Sequence, residues 1–473
     1  MITTSLLDTA IIGMAAIFPG ARDVTDYWRN ILLSKSAIRV ASEEWIQGYY
    51  DTNSNENNRI KSALGGFIQE FAHFDPIEFG VMPSSIDGGE PDHFLALKVA
   101  KQALIDSGYS QQEFDRHSTG IILGRGTYIN RGYNTLLQHG QIIDQTINLL
   151  RDIHPSLSDS TISLIRSDLQ SSLPPFNAEM APGLVPNVIT GRIANRLDLM
   201  GPNYIVDAAC ASSLIAIEHA VRELSLGRSS MMLAGGVHAS TPPQINMIFQ
   251  QLGALSPDSI TPFSDSANGT ILSEGVGIVV LKRLDDAIRD QDNIYAVIKG
   301  FGHSSDGKAL GLLSPRMEGE TLALRRAYES CSVDPQSIGL VEAHGTGIKL
   351  GDITEIQSLT SIVGDPSFGS FPSCAVGSVK SLIGHTIPAA GSASLIKTAL
   401  SLYHKVLPPT LCDTLNPEIQ LDYSRLYINT SLSPWFHGYP YPRRAAINSF
   451  GFGGINAHLV LEEFDSGRNN PFD

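Results

Sequence analysis

A chain of 473 residues with 42% hydrophobic and only 17% charged residues has ample material for a large core and little for disorder. Its 33 basic against 48 acidic residues leave a net charge of −15, which argues against a nucleic-acid or anionic-membrane surface, since either needs a basic face. By length alone there is room for two or three domains, although large single α/β units reach this size.

Residues 10–17 are apolar and run into Pro19-Gly20; Asp8 precedes them and no basic residue does, so they read as a first strand and not a signal peptide. Further β-type runs follow at 120–123, 204–206, 231–235 and 277–281, with helical segments between them. A second set of five occupies 294–299, 338–342, 374–379, 445–449 and 457–461. Two such sets predict a duplicated α/β unit with its boundary near 283–292, a first half of about 8–285 and a second of about 293–463. Residues 53–58 read as a polar loop, and 142–172 as two short helices on the surface, closed by Pro174-Pro175. After a domain spanning 1–463, residues 464–473 resemble a linker stub. The segment 229–257 carries no charged residue, yet its His, Gln, Asn, Ser and prolines exclude a membrane span, so a soluble protein is expected. Cys210, Cys331, Cys374 and Cys412 are spaced too widely and irregularly for a disulfide framework or a zinc site. That points to a reducing, cytoplasmic compartment. The 13 histidines lack paired spacing, so no metal site is expected.

Cys210 is the residue that carries chemistry. The apolar run 204–206 reads as a buried strand, and the residues from Ser212 onward have helical spacing, so the thiol stands at a helix N-terminus, where the helix dipole favours a thiolate. Small neighbours (Ala208, Ala209, Ala211, Ser212) let another group approach the sulfur. A lone buried cysteine is usually a small hydrophobe. Here two other strand exits bear histidine beside glycine: Val341-Glu-Ala-His344-Gly-Thr-Gly347, and Val376-Gly-Ser-Val-Lys380-Ser-Leu-Ile-Gly-His385. The predicted active site therefore joins Cys210 from the first half to His344, His385 and Lys380 from the second. Read alone, Lys380 is an ordinary surface lysine or a charge near the site, and the glycines of 448–456 serve tight turns.

These motifs, with Asn448-Ser-Phe-Gly-Phe452-Gly-Gly-Ile-Asn, resemble those of the β-ketoacyl synthases, the condensing enzymes of fatty-acid and polyketide assembly, from about Asp8 to about Glu463. Asp87-Gly-Gly-Glu-Pro-Asp-His-Phe-Leu, Gly124-Arg-Gly-Thr-Tyr-Ile-Asn-Arg-Gly and Val185-Pro-Asn-Val-Ile-Thr-Gly-Arg narrow the resemblance to ketosynthase domains of iterative multidomain synthases making polyketides, polyunsaturated fatty acids, heterocyst glycolipids and enediynes. The resemblance implies a thiolase-like α/β fold: two βαβαβαββ halves in a five-layer αβαβα sandwich, with the site where their strand ends meet.

It also implies decarboxylative Claisen condensation. Cys210 would hold the acyl group, and His344 and His385, each neutral, would hydrogen-bond the thioester carbonyl of a malonyl group on an acyl carrier protein. Lys380 would orient the His385 loop. The N–H of Phe452 beside that of Cys210 would form the oxyanion hole, with the Phe452 ring gating the acyl pocket. Thr346, with Gly453 and Gly454, would bind the phosphopantetheine arm, no other cofactor being called for. The acyl carrier protein would need a local basic patch, and a homodimer pairing across 202–206 is implied. Four positions depart from the family pattern: Ile348 replaces a threonine, Ser264 and Asn268 stand where aspartates are common, and Ser273 replaces a glycine. They put carrier binding and loop rigidity in doubt. Thiolase-like chemistry would need a second cysteine in the glycine-rich loop, which has none. A catalytically idle partner resembling a chain-length factor would have lost the cysteine or a histidine.

Overall fold

The structure, a computed structural model, describes residues 7–465 apart from 111, 127–129, 365–371, 423 and 439–440. The first half contributes β1 (Thr9–Ile17), β2 (Thr119–Gly124), β3 (Asn203–Val206), β4 (Met231–His238) and β5 (Gly275–Arg283). The second contributes β6 (Ala296–Ser305), β7 (Leu340–Glu342), β8 (Cys374–Gly377), a short β9 (Leu426–Ile428), β10 (Arg444–Gly451) and β11 (Ile455–Glu462). The helices used below are α1 (Pro91–Asp106), α2 (Ile143–Ile153), α3 (Asp159–Ser171), α4 (Val188–Leu197), α5 (Ser212–Ser225), α6 (Pro243–Gln251), α7 (Met317–Glu329), α8 (Lys349–Ile362) and α9 (Ala390–His404).

The duplication expected from the run pattern is visible in the strand order. The first half runs β3-β2-β4-β5-β1 and the second β9-β8-β7-β10-β11-β6, so β9 apart each half has its strands in the order third, second, fourth, fifth, first. Polarity repeats as well. In each half both pairings made by the second strand are parallel, and the fourth-to-fifth and fifth-to-first pairings are antiparallel. The halves join where Thr9–Ile11 of β1 pairs antiparallel with 296–298 of β6.

The layering follows from which faces are apolar. β1 is buried along its whole length: Ile11, Met14 and Ala16 face a central core, Ala10, Ile12 and Ile17 an outer one. The central core is filled by α5 and α9, which touch strands of both halves. Every residue of α9 from Ala390 to Leu402 is buried, the signature of a helix enclosed on all sides. α1 and α4 cover the outside of the first half; α7 and α8 cover the second. The five expected layers are thus helices, sheet, α5 with α9, sheet, helices.

The polar excursion of 142–172 is α2 and α3, closed on a small satellite core of Ile143, Ile147 and Ile162. The expected linker needs one correction: Phe464 packs against the outer core of the first half, because a phenylalanine next to that apolar wall gains more by burial than by following a free tail. Residues 466–473 of that stretch lie outside the described residues.

Within the second half, Glu342 at the end of β7 and Lys397 of α9 form a fully buried ion pair at 2.5 Å, and Glu342 also accepts the N–H of Val379 at 2.7 Å. Breaking such a pair leaves an uncompensated buried charge. Lys397→Met should lower stability by about 3–5 kcal/mol, and the double variant Glu342→Gln/Lys397→Met should recover most of that loss in denaturant unfolding.

Candidate active site

The cysteine elbow is made by the residues between β3 and α5. Ala209 is held in the left-handed region at φ +50°, costly for any residue with a Cβ. The turn persists because the Ser212 hydroxyl accepts the N–H of Ala208 at 2.8 Å and donates to the carbonyl of Ala209 at 2.6 Å. The second half then closes on it. Ser449 of β10 donates to the carbonyl of Cys210 at 2.8 Å, and Gly451 runs so close that a Cβ there would lie 2.7 Å from the carbonyl oxygen of Ala208.

The His344 loop leaves β7 and is clamped by the first turns of α8. Glu355 accepts the N–H groups of His344 (2.7 Å) and Gly345 (2.8 Å) and the side-chain amide of Asn448 (2.8 Å). Asp352, three residues earlier on the same helix, accepts Thr346 at 3.0 Å, Gly347 at 3.3 Å and, on its other oxygen, Phe263 at 2.8 Å. From the opposite side Lys380, itself buried, donates to the carbonyl of His344 at 2.6 Å. The lysine therefore braces the His344 loop and not the His385 loop five residues on, where sequence proximity had put its role.

His385 is held by backbone bonds to Ile271 (2.8 Å) and Ser273 (2.9 Å). Its Nδ1 accepts the N–H of Ile387 at 3.2 Å, so the ring proton of the neutral form sits on Nε2. Ile387 is at φ +48°, a strained position for a β-branched residue that brings its N–H onto the ring. The two imidazoles lie 5.5 Å apart, edge to face.

Burial, then Lys380 and a neighbouring histidine, push both imidazoles well below their ordinary pKa, so each is neutral. Burial likewise pushes the Cys210 thiol up to about 11, against the pull of Lys380 and the N–H groups of Phe452 and Cys210 itself. The helix N-terminus alone favours a thiolate; desolvation outweighs it, and the resting group is a thiol. Nearby, burial raises Asp352 to about 7 and Glu320 to about 9.

One cavity of about 280 Å³ is lined by Cys210, His344, His385, Thr346, Phe452, Gly453 and Gly454. Lys380 stands behind its wall. On one side Cys210 joins an apolar cluster with Ile245, Phe249, Ala254, Leu272 and Ile387, against which Ile348 and Phe452 pack, the Phe452 ring stacking on Phe249 at 5.5 Å. Ile348 thus adds apolar wall where the family usually has a hydroxyl. Of the other departures, Asn268 donates to Asp258 at 3.2 Å, a contact an aspartate would make repulsive, and Ser264 bonds the carbonyl of Thr414 at 3.1 Å. Ser273 has no hydrogen-bond partner for its buried hydroxyl among the described residues and fits only because Gly384 lacks a Cβ, which would lie 1.9 Å away. Residues 127–129 of one motif lie outside the described residues.

Sequence reasoning missed Asp352 and Glu355, whose signal was two acids three apart on the helix that follows the histidine loop. It also missed Phe249, which carries no local signal.

The family model of the β-ketoacyl synthase N-terminal domain matches residues 8–287, that of the C-terminal domain 295–412, and that of the ketoacyl-synthetase C-terminal extension 416–473. The chain belongs to the β-ketoacyl synthase family. It is 38% identical to polyketide synthase PksN of Bacillus subtilis, over 96% of this chain and 8% of that protein. It is 36% identical to one component of the polyunsaturated fatty acid synthase of a Thraustochytrium species, over 96% of this chain and 16% of that component. Among solved structures, the ketosynthase from module 6 of the bacillaene synthase of Bacillus subtilis superposes with a TM-score of 0.79 at 33% identity, covering 97% of this chain and 72% of that one. The chain spans less than a fifth of the length of those two curated relatives.

Because the thiolate is the reactive form, alkylation of Cys210 by iodoacetamide, followed by mass spectrometry of that site, should rise about tenfold per pH unit from 7 to 9. A rate flat across that range would show a thiolate already formed at neutral pH.

Proposed function

We propose that the domain catalyses decarboxylative Claisen condensation between an acyl group on Cys210 and a malonyl group on an acyl carrier protein, as one part of a larger polyketide or fatty-acid synthase. The observation that carries this reading is a thiol and two neutral imidazoles lining one cavity, Cys210 and His385 buried and His344 half-buried.

The incoming acyl thioester exchanges onto Cys210, whose proton leaves with the departing pantetheine thiol. Malonyl thioester then occupies the arm channel beside Thr346, Gly453 and Gly454. As its carboxylate departs as CO₂, the C–C bonding pair becomes an enolate, and N–H donors on His344 and His385 stabilise the growing charge on oxygen. Charge that develops only in the transition state is where such donors lower a barrier. The enolate carbon attacks the Cys210 thioester. The N–H groups of Cys210 and Phe452, which both face the sulfur, hold the tetrahedral oxyanion until it collapses, and the cysteine sulfur takes a proton from water. Neutral imidazoles suit this role, because a protonated ring would bind the malonyl carboxylate and oppose its loss.

The substrates ride on phosphopantetheine, and the reading calls for no other cofactor. Four free cysteines fit a reducing cytoplasm, and no described helix is long and apolar enough to cross a membrane. β3 is an edge strand with one unpaired side, the place where a second copy would extend the sheet into a homodimer.

Release of CO₂ from malonyl carrier, with formation of the β-ketoacyl product, tests the reading. Cys210→Ala should abolish the condensed product, and His344→Ala or His385→Ala should each lower decarboxylation ~10²–10³-fold. A wild-type protein that only exchanged acyl groups would show an idle, transacylating domain instead.

A further inference from the structure

Glu320 lies in the first turn of α7, lines the catalytic cavity and is 2% exposed, yet the condensation scheme gives it no task. Its carboxyl and that of Glu355 are neighbours in a poorly solvated wall, where two adjacent carboxyls do not both ionise readily. Their surroundings decide which keeps the charge. Glu355 receives three N–H donors, from His344, Gly345 and Asn448. Glu320 has one partner among the described residues, the hydroxyl of Ser358 at 2.8 Å, and that oxygen also lies 2.9 Å from the carbonyl of Thr354. A hydroxyl has a single hydrogen. Glu320 and the carbonyl of Thr354 compete for it, so the carboxyl has at most a shared donor. An ionised Glu320 would have one donor for two buried oxygens.

We propose that Glu320 is a positioning residue that works as the uncharged acid: it leaves the negative charge of this pair to Glu355 and so keeps the clamp on the His344 loop closed. Ionising Glu320 would set a second anion against Glu355 and loosen that clamp. The other charged groups around the pair are Asp306, bonded to Asn456 at 2.7 Å and itself flanked by Arg316 and Glu318 at the start of α7, Asp352 on α8, and Lys380, whose attraction favours the anion on Glu355.

The functional half of this inference rests on the condensation reading; its protonation half does not. Glu320→Gln keeps shape and neutrality, with Glu320→Met as a second neutral variant should the amide prevent folding. In equilibrium unfolding, a proton held by the folded but not the unfolded chain costs stability progressively as pH rises. The unfolding constant of wild type relative to the neutral variant should therefore grow about tenfold per pH unit between 5 and 9, and level off above. A ratio independent of pH would mean Glu320 is ionised in the fold and would overturn the proposal, whatever the enzyme catalyses. In condensation assays, wild-type kcat should fall above about pH 9 with the malonyl KM unchanged, while the kcat of Glu320→Gln, taken relative to its own value at pH 7.5, should hold about one unit further into alkali. The same alkaline fall in both proteins would remove Glu320 from the clamp. Absence of condensation in wild type alongside the expected stability ratio would count against the condensing reading and not against the protonated acid.

Discussion

The contact on which the site depends is the arrival of the second half at the cysteine elbow of the first. Ser449 binds the carbonyl of Cys210, and Gly451 slides under Ala208 where no side chain fits. Through this contact the N–H of Phe452 comes to face a sulfur more than two hundred residues away in sequence. The duplicated strand order makes it possible, since both halves turn the ends of their parallel strands toward the same junction. Ligand sites gather at strand ends in α/β sheets for the same topological reason.

Desolvation sets the chemistry once the parts are assembled. It raises the thiol, depresses both imidazoles and raises the carboxyls around them. The protein answers with fixed donors: paired N–H groups on each clamping carboxylate, Lys380 on a carbonyl, Ile387 on an imidazole nitrogen. Such preorganised dipoles hold neutral reactive groups in place without solvating them, which suits a reaction whose charge appears and disappears within one cavity.

Much of this was legible in the chain. Ten of the eleven strands of the two halves fall where apolar runs bounded by glycine, proline and polar residues put them, because strands packed between layers are largely apolar; the three-residue β9 matches none of those runs, and β3, expected to be buried, is a half-buried edge strand. Cys210, His344 and His385 stood out because each follows such a run beside small residues. The target of Lys380 was not legible: spacing ties it to His385, whereas its long side chain reaches the carbonyl of His344 on a neighbouring strand exit. Nor was the protonation of Cys210, for a helix N-terminus is visible in sequence and the dryness of a cavity is not.

Local pattern by itself therefore determined the elements, their duplication and the residue types at the strand ends, since each depends on periodicity and on neighbours within a few positions. Tertiary structure alone decided which side chains face one another, which carboxyl keeps its charge and how far burial moves each proton. Those depend on distances and water exclusion between segments that the chain order does not bring together.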